Sequence, residues 1–146
     1  MLISHVRNNR RLISLTRTAQ VEQAVRLMKD EGVGAVVILD ASGGLEGIFA
    51  ERDVVTALAR GGAAILRDPV SRWMRSDAPT ASPQTSILDA TRLISDARAR
   101  HLPVVQEGKV VGLLSVGDLV KSRLDEKTTE NLVLQEMAGW PRPSMA

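Results

Sequence analysis

The sequence contains no cysteine, so disulfides and thiolate metal sites are both excluded. Its two histidines, His5 and His101, are too few and too far apart for a metal-ligand cluster. Tyrosine is absent, and one Phe and two Trp leave almost no stacking platforms of the kind that single-stranded nucleic acid requires. Neither sign of charge dominates. The 19 Lys and Arg residues are interleaved with 17 Asp and Glu, for a net charge of +2. That pattern predicts a solvated mixed-charge surface rather than a nucleic-acid face. No apolar run approaches the ~20 residues of a membrane span. Polar residues break the opening Met1–His5 before a signal-peptide core can form, so the expected setting is cytoplasmic. No cysteine nucleophile, histidine-centred triad, Walker loop or paired-carboxylate cleft can be assembled, and an enzyme is not expected.

What is present is an ordinary globular composition. The 146 residues, 44% apolar and 25% charged, suit one compact domain or two half-sized repeats sharing a core. The periodicity favours repeats. Residues 19–30 place Val21, Ala24, Leu27 and Met28 on one helical face, and Gly32 offers a stop. The run VGAVVILD (33–40) is short and β-branched, as in a buried strand. A turn at Ala41–Gly44 leads to a second strand, LEGIFA (45–50), then a helix over 53–60 closed by Gly61-Gly62.

The order then recurs. Residues 86–99 carry Ile87, Ala90, Leu93, Ile94 and Ala97 on one face, with Ser86 and Asp89 spaced as a capping box. HLPVV (101–105), the turn Glu107-Gly108, VVGLLS (110–115) and a helix over 117–124 complete the copy. Pairing Ala24 with Ala90, Val36 with Pro103, Gly47 with Gly112 and Asp53 with Asp118 gives offsets of 66, 67, 65 and 65. The expected architecture is α/β (α+β): two pseudo-symmetric βαββα repeats over 11–60 and 80–124, packed sheet to sheet. The segment 61–79 reads as a linker, with one helical turn around Val70–Met74. Residues 125–138 read as a separate C-terminal helix, carrying Leu132, Gln135, Glu136 and Met137 and ending near Gly139. The proline-containing tail beyond reads as frayed. The expected core includes Val21, Ala24, Leu27, Val36, Val37, Ile38, Ile48, Ile87, Leu93, Val104, Val105 and Leu113.

The pieces GVGAVVILD, GLEGIFAERDVV, PVSRWM, ARHLPVVQEGKVVGLLSVGDLVKSRL and TENLVLQEM resemble the cystathionine β-synthase (CBS) domain. Two in-register copies make the tandem form called a Bateman module, of the stand-alone bacterial type, and the likeness spans roughly residues 11–138. The resemblance implies a non-catalytic module that senses adenine nucleotides (AMP, ADP, ATP or NAD(H)) as an energy or signal sensor. It implies no catalytic cofactor and a homodimer built on Val54, Val55, Leu58, Leu119 and Val120. S-adenosylmethionine is a further ligand of the family.

The family's ligand motif is Gly–apolar–apolar–Thr/Ser–x–x–Asp, intact here as Gly112-Leu113-Leu114-Ser115-Val116-Gly117-Asp118. By resemblance, Asp118 takes the ribose hydroxyls and Ser115 sits near the phosphate. A strand that ends at a helix start also presents unpaired N–H groups that favour an anion. Ser115 and Asp118 have capping-box spacing too, and the two roles can coexist. The first repeat departs: Gly47-Ile48-Phe49-Ala50-Glu51-Arg52-Asp53 keeps the acid but puts Ala50 where the hydroxyl belongs. Arg52 can compensate toward a phosphate, or simply face solvent. The resemblance adds Thr80, Ala81, Arg100, His101 and Pro103 to the second-repeat site. It adds Ser14, Leu15, Gly34 and Ala35 to the first, with Met74 and Arg75 closing from the linker. Arg98 and Arg100 would make His101 part of a basic cluster. The competing expectation is an interaction adaptor, a CBS fold that dimerises and docks on a protein with vestigial sites.

Overall fold

A computed structural model of the chain describes residues 1–6 and 11–138. Gly139 and the tail lie outside the described residues, as do the side chains of Leu132, Gln135 and Glu136. Two separate sheets form, each with its own helices. In the first, β1 (Ser14–Leu15) pairs in parallel with β2 (Ala35–Leu39), and β2 pairs antiparallel with β3 (Leu45–Ala50). Helix α1 (Val21–Glu31) precedes β2, and α2 (Glu51–Gly61) follows β3 directly. In the second, β4 (His101–Gln106) pairs antiparallel with β5 (Lys109–Ser115), between α3 (Ile87–Ala97) and α4 (Val116–Ala138). The leading strand of the second copy shrinks to one parallel bridge, Ala81 to Val104, in the place that β1 holds beside Val37.

Local chemistry sets the element ends. Helix α1 stops where Gly32 turns left-handed at φ 65°, and Ser86 caps α3 by accepting the Asp89 amide at 3.0 Å. The β4–β5 hairpin turns through Glu107 and Gly108, both at positive φ, as a tight two-residue turn demands. In the first hairpin Asp40 Oδ1 accepts the amides of Ser42 (2.9 Å) and Gly44 (2.8 Å), replacing backbone partners the turn cannot supply.

Both faces of the first sheet are covered, which is why its strands read as unbroken apolar runs. Val36, Ile38 and Phe49 turn toward α1 and α2, where they meet Val21, Ala24, Met28 and Ala57. Removing the fully buried Phe49 ring from this core should cost about 3–5 kcal/mol. Ala35, Val37, Ile48 and Ala50 face the other way, against Val110 and the half-buried Val105 and Leu113 of the second sheet. The second core joins Ile87, Ala90, Ile94, Leu102, Val104, Leu114 and Leu119.

Several details correct the sequence reading. Leu93 is 36% exposed because the inward stripe of α3 runs through Ile87, Ala90 and Ile94; Ala97 is exposed as well. Leu27 is only half-buried. Leu119 is 3% exposed and belongs to the second core, so it cannot join an outward dimer face. Helix α4 runs unbroken through position 125, since no Gly or Pro lies between Asp118 and Ala138. A 3₁₀ stretch, Gly62–Arg67, continues from α2 rather than forming open linker.

The repeat also extends to residues 1–6, which the sequence reading left outside it. The 3₁₀ turns Ile3–His5 and Val70–Arg72 are equivalent, with Ile3 and Val70 lying 67 apart. The Ser71 amide donates to Arg17 O and the Val21 amide to Asp68 O; in the other copy Ser4 donates to Pro83 O and Ile87 to Met1 O. Each turn satisfies amides at the helix start of the opposite repeat, and Ile3 enters the second core. The two copies are thereby interlocked.

Candidate functional site: a cleft shared by both repeats

The motif of the second repeat lies where β5 runs into α4. Ser115 donates its amide to Asp118 Oδ2 at 2.9 Å, and Asp118 donates its amide to Ser115 Oγ at 3.1 Å. The pair is a complete capping box. It also lines a cavity of about 250 Å³, together with Gly112, Leu113 and Leu114 of the same motif. The cap therefore orients the acid without removing it from the cavity.

The opposite wall comes from the first repeat. Gly34 and Ala35, at the start of β2, line this cavity beside Asp118. So do Leu12 and Ile13 from the segment entering β1, and Ile3 and Val6 near the N-terminus. The sequence resemblance places Gly34 and Ala35 in a separate first-repeat site and assigns Thr80, Ala81 and Pro103 to the second. Those three do not line the cavity. Ala81 and Pro103 are buried and bonded to one another, the Ala81 amide donating to Pro103 O at 3.0 Å, and Thr80 is exposed. The offset of 67 explains the exchange, because it maps Thr80 onto Ile13, and the wall at this cavity is the first repeat's copy. Leu12, Ile13, Ile3 and Val6 were missed; extending that offset to residue 3 was the signal that could have found them.

A smaller cavity of about 40 Å³ adjoins it, lined by Ala50, Glu51, Arg52, Arg75, Arg100, Gly34 and His101. Gly34 and His101 line both cavities and stand between them. A methyl group on Gly34 would lie 3.6 Å from His101 Nε2 and 3.7 Å from the Glu51 carboxylate, so these three groups are in close array. His101 Nδ1 is buried with no hydrogen-bond partner among the described residues. Burial, followed by the positive charge of Arg75, lowers the His101 pKa below its ordinary 6.5, with Glu51 and Asp118 opposing.

Asp53 lines neither cavity. It is 7% exposed, accepts the Ala50 amide on Oδ2 at 2.8 Å, and lies 3.3 Å from Arg75 Nε through Oδ1. With Ala50 in place of a hydroxyl residue, only this half of a capping box forms. Arg52 reaches the second repeat, donating to Arg98 O at 3.4 Å. Met74 packs over Gly47. Ser14 and Leu15 line a different, open groove with Thr16, Thr18 and Asp40. Among the described residues no cluster of three His, Asp or Glu side chains could hold a metal, and no helix is long and apolar enough to cross a membrane.

Known proteins share this fold. The chain is 31% identical over 111 residues to the CBS domain-containing protein YhcV of Bacillus subtilis, covering 74% of this chain and 76% of that one. It superposes on a CBS-domain containing protein of Agrobacterium tumefaciens with a TM-score of 0.79 and 31% identity, over 84% of this chain and 99% of the other. A CBS domain protein of Pyrobaculum aerophilum complexed with AMP shares the fold at a TM-score of 0.74 and 24% identity, over 81% and 89% of the two chains. The CBS domain pair of the protein MJ0100, in complex with 5′-methylthioadenosine and S-adenosyl-L-methionine, does so at 0.75 and 20%, over 88% and 98%. The CBS domain pattern itself matches twice, at residues 3–60 and 70–125, the same offset of 67 that relates the two 3₁₀ turns. The chain belongs to the CBS domain family, as a tandem pair.

Proposed function

We propose that this chain is a non-catalytic regulatory module that binds an adenine nucleotide in the 250 Å³ cavity between its repeats. The observation that carries the reading is Asp118. Its carboxylate lines a cavity of mixed polar and apolar walls, held in position by the Ser115 amide, while Ser115 Oγ accepts the Asp118 amide. A carboxylate so placed suits two vicinal ribose hydroxyls, and the α4 N-terminus beside it suits an anionic phosphate. The apolar walls from Leu12, Ile13 and Ala35 suit a flat base. AMP on one neighbour, and 5′-methylthioadenosine with S-adenosyl-L-methionine on another, support an adenosine-containing ligand.

A thermal-shift panel of AMP, ATP, NAD, NADH and S-adenosylmethionine tests this. A ligand at a hundredfold excess over its Kd stabilises the fold by about 2.7 kcal/mol. A flat response across the panel would instead favour an interaction adaptor with vestigial sites.

A further inference from the structure

The two cavities are pseudo-symmetric copies of one cleft, and they are unequal. Ser115 and Asp118 in the larger correspond to Ala50 and Asp53 beside the smaller, and Gly34 and His101 exchange roles between them. The volumes are about 250 and 40 Å³. Arg75 lines only the smaller. Its backbone forms a two-way bridge with Ile48 of β3, N to O at 2.9 Å in each direction. This approach requires Gly47, where a methyl group would come within 2.9 Å of Arg75 O. The arginine side chain then lines the small cleft and faces Asp53 Oδ1 at 3.3 Å.

We infer that Arg75 is a built-in occupant of the first-repeat cleft, which makes Asp53 the carboxylate of a latent second nucleoside site. Asp53 Oδ2 accepts the Ala50 amide, and the guanidinium lies against Oδ1, where it obstructs the approach of ribose hydroxyls. The position 67 residues before Arg75 is Asn8, so the repeat does not duplicate this arginine, and Arg11 at the larger cavity pairs with Glu31 at 2.9 Å. Arg75 Nε has no aligned hydrogen bond, so charge holds the pair and the arginine can be displaced. The chain thus binds one adenosine ligand at Asp118 and admits a second only when Arg75 withdraws. This rests on the nucleotide reading above.

Calorimetric titration with AMP counts the sites. One equivalent is expected for the wild type and for Arg75→Lys, which keeps the charge. Two are expected for Arg75→Ala, returning to one in Arg75→Ala with Asp53→Asn. Because Arg75→Ala leaves a buried carboxylate unpaired, Arg75→Gln provides a second opening variant, also expected to bind two. One equivalent in both opening variants, or two in the wild type, overturns the latch alone. Absence of AMP binding in every variant overturns both the nucleotide reading and the latent site. A denaturation double-mutant cycle on Asp53→Asn and Arg75→Gln reads the pair without ligand. It should show the double variant no less stable than the worse single, and strictly additive losses would count against the pair.

Discussion

Ser115 and Asp118 restrain each other through two backbone bonds, 2.9 Å from the Ser115 amide to Asp118 Oδ2 and 3.1 Å from the Asp118 amide to Ser115 Oγ. The carboxylate thus serves helix and cavity together, and the two roles separate by mutation. Asp118→Ala should weaken nucleotide affinity about ten- to a hundredfold, the worth of roughly 1.5–3 kcal/mol for hydrogen bonds to a charged group. It should also remove about 1 kcal/mol of stability through the lost cap. Ser115→Ala should show that stability loss with a smaller change in affinity. Titration of both variants checks this, and unchanged affinity in Asp118→Ala would leave the acid as a cap alone.

Gly47 admits the returning linker. A Cβ there would stand 2.8 Å from Met74 Sδ and 2.9 Å from Arg75 O. Met74 can rotate away, but the Arg75 carbonyl is fixed by its bond from the Ile48 amide. Gly47→Ala should therefore destabilise the fold by about 1–3 kcal/mol, as overpacking does elsewhere. Chemical denaturation measures it, and a neutral result would mean the linker strand shifts freely.

Helices α2 and α4 leave apolar side chains in solvent: Val55 is 67% exposed, Leu58 40%, Val120 52% and Leu124 62%. A homodimer covering them is expected. Val55→Glu with Val120→Glu should give a monomer by light scattering while preserving the circular dichroism spectrum. A wild-type monomer at high micromolar concentration would remove the basis for this interface.

The repeat, its strands and its acids were legible because periodicity and turn glycines act locally. The strands 33–40 and 101–105 read correctly since burial on both faces forces β-branched runs such as Val36-Val37-Ile38. The composition of the cleft was not legible in the same way. Its walls come from opposite repeats, so Gly34 faces Asp118 although 84 positions separate them. Arg75 could be placed in the linker, but its pairing with Asp53 depends on a backbone bridge that no local pattern announces. Leu93 failed for a simpler reason: five apolar residues on α3 overfill a face that buries only three.

His101 should couple the site to pH. It begins β4 opposite Ser115, lines both cavities, and is approached by Arg75 from the linker, Arg100 from the position just before its strand, Glu51 from α2 and Asp118 from α4. Burial, then Arg75, lowers its pKa in the folded state from the ordinary 6.5. Above that value the imidazole is neutral in both folded and unfolded chains and contributes no pH dependence. As pH falls through and below 6.5, the unfolded chain takes up the proton first, so stability declines until the lower folded pKa is passed. Denaturation midpoints should therefore drop between pH 7.5 and 5.5, and His101→Gln should flatten part of that slope. A bound anionic nucleotide favours the imidazolium, so binding of AMP should take up a fraction of a proton near pH 6.5 and strengthen as pH falls from 8 toward 6. Calorimetry in buffers of different ionisation enthalpy reads that uptake directly. Uptake that persists in His101→Gln would move the effect to another group, and none in the wild type would place the phosphate away from His101.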